Sequence, residues 1–393
     1  MTGKLLSLFV VSVLIANAQG FTFKNKYPAQ WAIPPTNTPQ VQQWMAEVNA
    51  HPLVNLPIIK TDKDGNPIIP KSLPSNACDW TYNLCINKDI TVCPSGYWGL
   101  TFDDGPTPHS TKLYDFLKTT NTKATLFYIG SNVVAYPDVA QRACADSHQI
   151  AVHTWSHHAI TSLTNEQFVA EVKYTEMAIK EVCGVTPKYA NYEIRDYIFK
   201  SFRPPFGDID NRIRSLLTAM GYVSVIWDLD TNDWQMPPGG QRTEAQVDAD
   251  FAKWIAAHPQ DKTGHIVLEH ELYDTTVSAA IKNIPAVQAV WKTVPVSTCL
   301  NDAHPYAEKN VTLPTIASPS SIAKPNNATS STAAVSSAAA SPVAATAASS
   351  SAAAAAAVSP SSTPSPSSAE TGSGMASTAA LAAWVIMSAV FLT

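Results

Sequence analysis

The stretch YWGLTFDDGP, residues Tyr97 to Pro106, decides the fold, because a strand-like apolar run ends there in two adjacent aspartates and a Gly-Pro turn. Neighbouring carboxylates repel each other, so a chain rarely places two of them at a strand end only to fill space. Asp103 and Asp104 therefore indicate chemistry at this strand end. They raise the question of whether one of them binds a metal ion.

Strand-like and helix-like segments alternate downstream of this stretch. ATLFYIG (124–130), QIAVH (149–153) and YVSVIW (222–227) have the short apolar pattern of buried strands, and helical patterns lie between them. Strands that alternate with helices in this way indicate a parallel sheet. We expect an α/β barrel, and a doubly wound open sheet is the competing architecture.

The longest helical pattern begins at Thr164, where Gln167 completes a capping box, and it ends at Gly184. In either architecture, functional side chains belong at the C-terminal ends of the strands. Polar groups follow five predicted strands, and we expect them to converge on one rim: Asp103 with Asp104, His153 with His157, Arg203, the segment from Asp228 to Trp234, and His270.

The segment HTWSH places His153 and His157 four residues apart. On a helical turn the two imidazoles would face the same way, which is the spacing used for metal pairs. Two histidines and one carboxylate make a three-ligand site with room for water. Two capping or core histidines are the alternative, which the polar Trp155-Ser156 pair and the preceding strand disfavour.

The motifs TFDDGP, HTWSH, RPPFGD, DTNDW and LEHE, in this order, resemble the five motifs of the polysaccharide deacetylases (carbohydrate esterase family 4, NodB-homology domain). The resemblance covers about residues 97–295. WAIPPTNTPQVQQWMAEVN (31–49) and the run from Cys78 to Cys93 further resemble fungal chitin deacetylases. The resemblance implies a distorted (β/α) barrel of seven or eight strands. It also implies a divalent metal, Zn²⁺ or Co²⁺, and hydrolysis of N-acetyl groups in chitin to give chitosan and acetate.

Residue by residue, the resemblance assigns metal ligation to Asp104, together with His153 and His157. Asp103 matches the general base that activates the attacking water, and Arg203 matches the arginine that pairs with this base. The division is chemically sensible, because a metal neutralises one carboxylate and leaves its neighbour ionised to accept a proton.

His270 matches the general acid that protonates the leaving amine. Asp230 or Asp233 matches the carboxylate that keeps this imidazole protonated, and we favour Asp233. We expect Glu269 and Glu271 to add negative charge that also favours the protonated form. Trp234 and Leu268 match residues that flank the acetyl-sugar pocket. Phe206 stands where the family usually has tyrosine, and its backbone amide matches an oxyanion donor.

Six cysteines indicate an oxidising compartment and disulfide bonds, since the absence of a CxxC pair disfavours a zinc knuckle. Sequence does not determine their connectivity. We expect Cys144 to pair with Cys183, and Cys299 to pair with Cys78, Cys85 or Cys93.

Both ends of the chain resemble processing signals. Residues 5–15 are apolar, follow Lys4 and precede an A-x-A pattern, which is typical of a secretory signal rather than a membrane anchor. Small residues at 368–374 precede the apolar run 379–392. This pattern indicates a GPI-attachment signal, with a C-terminal membrane helix as the alternative.

Residues 312–371 are rich in Ser, Ala, Pro and Thr and cannot bury a core, so we expect a disordered, O-glycosylated stalk. Asn310 and Asn327 lie in N-glycosylation acceptor motifs. We divide the chain into a signal peptide (1–18), an N-terminal extension (19–96), the deacetylase domain (97–300), a stalk (301–371) and a removed GPI signal (372–393).

A formal net charge of −5 and a pI near 6.0 give no basic patch for nucleic acid. We expect an extracellular monomer in the wall of a fungal cell, GPI-anchored to the outer face of the plasma membrane, that acts on chitin or chitin oligomers. The alternatives are deacetylation of another acetylated glycan or of short oligomers only, or a non-catalytic wall-binding protein.

Overall fold

A computed structural model of the chain describes residues 20–63, 65–68, 70–187, 200–237 and 240–316. The predicted signal peptide, the GPI signal, Asn327 and most of the predicted stalk lie outside these residues. Within them, no helix combines the length and the apolar character that a membrane crossing requires. Asn310, the other predicted glycosylation site, is exposed.

Parallel β-strands form the centre of the described structure. They are β1 (Tyr97–Gly99), β2 (Thr101–Gly105), β3 (Thr125–Tyr128), β4 (Gln149–Val152), β5 (Lys200–Phe202), β6 (Tyr222–Ser224), β7 (Leu229–Asp230), β8 (His265–His270) and β9 (Lys292–Val294). From β6 the pairing runs through β5, β4, β3 and β2 to β8. β1 continues into β2 along the same side of β8 and also pairs with β9.

The segment from β6 to β7 closes this sheet into a distorted barrel. At its start, the Val225 amide donates to the Phe202 carbonyl at the end of β5 (2.8 Å). Three residues later, the Asp228 amide donates to the Ile266 carbonyl of β8 (3.2 Å). Because one continuous segment changes partner from β5 to β8, the predicted barrel is confirmed and the open sheet is not.

Helices surround the sheet and cover its outer face. They are α1 (Pro39–Asn49), α2 (Trp80–Asn83), α3 (Ser110–Thr119), α4 (Gly130–Ala135), α5 (Pro137–Ala145), α6 (Asn165–Cys183), α7 (Asn211–Ala219), α8 (Glu244–Ala257), α9 (Asp274–Gln288) and α10 (Val296–Cys299). The side chains of Phe127, Ala151, Val225 and Ile266 belong to an apolar cluster that is separate from the main core. Since strand side chains alternate, these four fill the inside of the barrel while their neighbours pack under the helices.

Local sequence signals explain where the longest helix begins and ends. The Thr164 side chain accepts from the Gln167 amide, and the Gln167 side chain accepts from the Thr164 amide. Gly184 ends α6 with φ +73°, a conformation that glycine adopts without a steric penalty. The predicted capping box and C-cap are confirmed. The short helix α4 and the edge strand β9 are not among the predicted elements.

The packed unit extends beyond the predicted deacetylase domain at both ends. Val41 and Trp44 of α1 are buried in the main hydrophobic core, so the N-terminal extension packs on the barrel. Tyr306 and Leu313 join the same core. The sequence-based start of the stalk at residue 301 therefore falls inside the packed unit, which runs to Ile316.

All six cysteines are paired. The bond between Cys144 and Cys183 confirms the first expected pair. Cys299 pairs with Cys93, which joins the chain just before β1 to the end of α10. Cys78 and Cys85 close a short loop around α2.

Candidate active site

The C-terminal ends of the strands bring the predicted site residues together on one rim of the barrel. Asp103 and Asp104 lie in β2, and His270 is the last residue of β8. His153 directly follows β4, and Arg203 directly follows β5. Convergence of these groups was predicted from their positions at successive strand ends.

Asp104, His153 and His157 form a compact set of metal-ligand atoms. The Asp104 Oδ1 atom lies 3.2 Å from His157 Nε2 and 3.4 Å from His153 Nε2. One ligand atom from each residue lies within 4.8 Å of the other two. Among the described residues, no other group of three meets this criterion.

The chemistry of these three side chains fits a divalent cation. His153 Nδ1 lies 2.8 Å from the Arg203 carbonyl oxygen, which can only accept, so Nδ1 is the donor there and Nε2 is the ring nitrogen that faces the ligand set. Burial lowers the pKa of His157 to about 4 against the opposing effect of Asp104, so this imidazole is neutral. Buried Asp104 Oδ1 accepts no well-formed hydrogen bond from any described group. Two imidazoles and a carboxylate with an unpartnered oxygen match a three-ligand zinc-type site.

The charge on Asp104 is also consistent with a ligand. Burial acts to raise the pKa of its carboxyl, but His157, His153 and His270 outweigh burial and hold it well below the usual range. Asp104 is therefore ionised over the whole physiological range.

The two histidines do not lie on a helical turn, which corrects the sequence-based explanation of their spacing. Thr154 has φ 65° and His157 has φ 57°, so the HTWSH loop contains two left-handed non-glycine residues. The amides of Gly130 and Ser131, at the start of α4, donate to the Thr154 and Trp155 carbonyls (2.8 and 3.2 Å). The imidazole rings converge because this loop folds back, with ring centroids 5.0 Å apart.

Asp103 is held by a buried arginine. Arg203 Nη1 donates to Asp103 Oδ1 (2.8 Å) and to the Thr101 hydroxyl (2.7 Å). The guanidinium stacks 4.2 Å from the Phe127 ring centroid, inside the barrel. Asp103 Oδ2 lies 3.7 Å from His153 Nε2, so this second oxygen faces the ligand set. The geometry leaves Oδ2 as the atom that can accept a proton.

His270 pairs with Asp233 and not with Asp230. Its Nδ1 lies 2.6 Å from Asp233 Oδ1, and its amide donates to Asp233 Oδ2 (3.0 Å). Asp230 Oδ1 instead accepts from the Asn232 amide (2.7 Å). Burial lowers the pKa of His270, but Asp233 outweighs it with help from Asp104 and Asp103, which raises the pKa to about 10. An imidazole in this setting is protonated at neutral pH.

Burial works against the negative charge that we expected Glu269 and Glu271 to add. Burial raises the pKa of Glu271 to about 8 despite hydrogen bonds from Ser110 and Tyr114, and it raises that of Glu269 well above its usual value. Burial disfavours the charged form of both carboxyls, and at Glu269 it outweighs the attraction of the neighbouring His270 imidazolium. Their burial depends on tertiary packing that the LEHE motif does not reveal.

The three predicted substrate-contacting residues differ in exposure. Trp234 is 48% exposed and Phe206 is 39% exposed, which leaves two aromatic side chains open to a sugar. The Phe206 ring lies 4.8 Å from that of His157, and its φ of 61° is strained for an aromatic residue. Leu268 is buried two residues before His270, so both side chains face the same side of β8.

Two residues that support the site through hydrogen bonds, Asn132 and Asp208, were not predicted from the sequence. Asn132 Nδ2 donates to the Asp104 carbonyl (2.9 Å), where the backbone has φ 69°. Asp208, in the RPPFGD motif, accepts from the Thr161 amide and hydroxyl (2.8 Å each). Asn132 follows the end of β3, so the rule that pointed to the other strand ends would also have found it.

Sequence comparisons match this chain to polysaccharide deacetylases. A family model for polysaccharide deacetylase matches residues 93–225. A chitin deacetylase of Amylomyces rouxii is 37% identical over 311 residues, which cover 74% of this chain and 70% of that protein. Chitin deacetylase 2 of Cryptococcus neoformans var. grubii is 36% identical over 315 residues, 74% of this chain and 65% of that protein.

Two further matches cover less of this chain than the two relatives above do. Chitin deacetylase 1 of Cryptococcus neoformans var. grubii is 38% identical over 65% of this chain, which spans 54% of that relative. The solved chitin deacetylase of Colletotrichum lindemuthianum is 28% identical, with a TM-score of 0.47 over 55% of this chain and 92% of that one. From the extent and identity of the match to the Amylomyces rouxii protein, this chain belongs to the polysaccharide deacetylase family.

Proposed function

We propose that this chain hydrolyses the N-acetyl groups of N-acetylglucosamine residues in chitin and releases acetate. The observation that carries this proposal is the division of the rim into two charged pairs around the ligand set. Asp103 forms a salt bridge with Arg203 on one side, and His270 forms a salt bridge with Asp233 on the other. Hydrolysis of an amide needs both a base for water and an acid for the amine that leaves.

Asp104, His153 and His157 are the residues that would hold a divalent cation, for which we propose Zn²⁺ or Co²⁺. Such a cation supplies Lewis-acid chemistry, because it polarises a carbonyl oxygen and lowers the pKa of water to about 7. The protein's contribution is to fix the ligands. The Arg203 carbonyl holds the His153 tautomer, and the two left-handed backbone residues aim the imidazoles.

Asp103 is the proposed general base. Its Oδ1 is held by Arg203, so Oδ2 takes a proton from the attacking water as the new C–O bond forms at the acetyl carbon. Arg203 keeps Asp103 oriented and compensates its charge before the proton arrives. The backbone amide of Phe206 is a proposed donor to the oxyanion that develops on the acetyl oxygen.

His270 is the proposed general acid. Its Nδ1 proton is held by Asp233, so its Nε2 proton is the one that passes to the amide nitrogen as the C–N bond breaks. The products are acetate and a free amine on the sugar. Asp233 retains its charge throughout, which stabilises the imidazolium before transfer.

The proposal is tested by measuring acetate release from N-acetylglucosamine oligomers of increasing length, with acetylated xylan as a second substrate. We expect release from the chitin oligomers and its loss after chelation. Release from acetylated xylan alone would identify another acetylated glycan as the substrate. Release from neither, by a folded and metal-loaded protein, would favour a non-catalytic wall-binding role.

We also propose that the mature protein is extracellular and tethered by a GPI anchor to the outer face of the plasma membrane, in the cell wall. Support comes from the sequence pattern of residues 368–392 and from three disulfide bonds. A phospholipase specific for GPI should release the full chain from membranes. A chain that stops at Ile316 should be secreted in soluble form, and membrane retention of that chain would contradict the proposal.

A further inference from the structure

Glu171 of α6 has a fully buried carboxyl group to which the proposed mechanism gives no role. Its Oε2 atom accepts hydrogen bonds from the amides of Trp155 (2.7 Å) and Ser156 (2.8 Å). Its Oε1 atom accepts the Ser156 hydroxyl. One side chain thus binds three donors of the loop that connects the two histidine ligands. It does so from the helix beneath the loop.

This loop needs external support because its conformation is intrinsically unfavourable. Left-handed φ values at non-glycine residues are strained and persist only where the surroundings over-determine them. Thr154 and His157 both have such values. The carbonyl groups of the loop are bound by the start of α4, and its amide groups are bound by Glu171.

We propose that Glu171 is a positioning residue that sets the separation of His153 and His157 and thereby the affinity of the site for its metal ion. Trp155 and Ser156 lie between the two ligands, so release of their amides lets the two imidazoles move independently. Groups that orient metal ligands from outside the coordination sphere typically contribute 10–100-fold to metal affinity or activity. The inference uses the metal-dependent function proposed above, but metal affinity can be measured without any substrate.

Glu176, on the same helix, offers a matched control. It is also buried, and it accepts the Tyr222 hydroxyl (2.9 Å) and pairs with Lys173, away from the histidine loop. Removal of either carboxyl group leaves buried hydrogen-bond donors without an acceptor and destabilises the fold. Of these two glutamates, Glu171 contacts the segment between the metal ligands and Glu176 does not. Removal of Glu171, but not of Glu176, should therefore alter metal binding beyond a loss of stability.

The test is the affinity of the full chain for Zn²⁺, measured by competition with a chromogenic chelator, beside thermal unfolding of the metal-free protein. We expect Glu171→Leu to weaken Zn²⁺ binding about 10–100-fold. Glu171→Gln should stay within about threefold of the wild type, since one amide oxygen can still accept both backbone donors. Glu176→Leu should lower the unfolding temperature and leave Zn²⁺ affinity unchanged.

Wild-type Zn²⁺ affinity in a folded Glu171→Leu variant would overturn the proposal, and so would an equal loss in Glu176→Leu. If Glu171→Leu does not fold, Glu171→Asp decides, because its shorter side chain withdraws the carboxylate from the two amides. Glu171→Asp should weaken Zn²⁺ binding several-fold, and unchanged affinity would refute the inference. A wild type that binds Zn²⁺ tightly but releases no acetate from chitin oligomers would refute the proposed function and leave this inference standing.

Discussion

Replacement of Asp233 by asparagine should change the pH dependence of catalysis. Asp233 provides the leading attraction that raises the pKa of His270 to about 10, against burial, which lowers it. Asparagine keeps an oxygen that can accept from Nδ1 but removes the negative charge. A general acid works only while it is protonated, so activity is lost as the pH rises through its pKa.

The size of the effect follows from the two pKa values. Without Asp233, burial opposes the remaining attraction of Asp103 and Asp104, and we take the variant pKa as about 6.5, the ordinary value for histidine. At about pH 8, roughly 3% of the variant would then carry the proton, a loss of about 30-fold. At about pH 6, roughly three-quarters would still carry it, so the protonation deficit nearly disappears.

The assay is kcat/KM for acetate release from chitin oligomers across this pH range, with both proteins metal-loaded. The ratio of wild type to Asp233→Asn should rise about 20-fold from about pH 6 to about pH 8. Asp230→Asn is the matched control, since Asp230 bonds to Asn232 rather than to His270 and should shift the profile much less. A ratio for Asp233→Asn that is independent of pH would refute the assignment of His270 as the acid.

Further predictions concern the metal, the base and the disulfides. Asp104→Ala should lose bound metal and activity together, because it removes one of three protein ligands. A metal content equal to that of the wild type, measured by elemental analysis, would contradict this. Asp103→Asn should retain the metal but lower kcat by roughly 10²–10⁴, and loss of metal instead would reverse the roles of the two aspartates. Serine in place of Cys93 and Cys299, which close a loop of 206 residues, should lower the free energy of unfolding in urea by about 5 kcal/mol. The same change at Cys78 and Cys85, which close a loop of 7 residues, should lower it by about 2.5 kcal/mol. Equal losses for the two pairs would show that loop length does not govern their contribution.

The parts of the fold that sequence predicts are those with local causes. The α6 capping box and Gly184 act within a few residues, so they could be read directly. Functional residues at strand ends could be located because parallel strands share one carboxyl edge. β9, in contrast, is three residues long and lies at the edge of the sheet, where period and apolar content give no signal.

The parts of the site that sequence does not predict depend on burial and on tertiary backbone contacts. Glu269 and Glu271 are charged residue types in the sequence, and only their burial in the structure shows that their pKa values are raised. The spacing of His153 and His157 suits a helix equally well, and the loop conformation follows from contacts with α4 and α6. One sequence feature does point to Glu171: it is a charged residue type on the apolar face of α6, between Phe168 and Val172.

The bond between Cys93 and Cys299 also fixes what a mechanical force can reach. Every strand of the barrel lies between these two residues in the chain, so a pull on the two ends bypasses the barrel while the bond is intact. Reduction of this bond together with the Cys144–Cys183 bond inside the loop would release the enclosed 206 residues, a hidden contour length of about 700 Å at roughly 3.4 Å per extended residue. In single-molecule stretching, the oxidised chain should therefore extend only through its flanking segments, because the disulfide bond and not the barrel carries the tension.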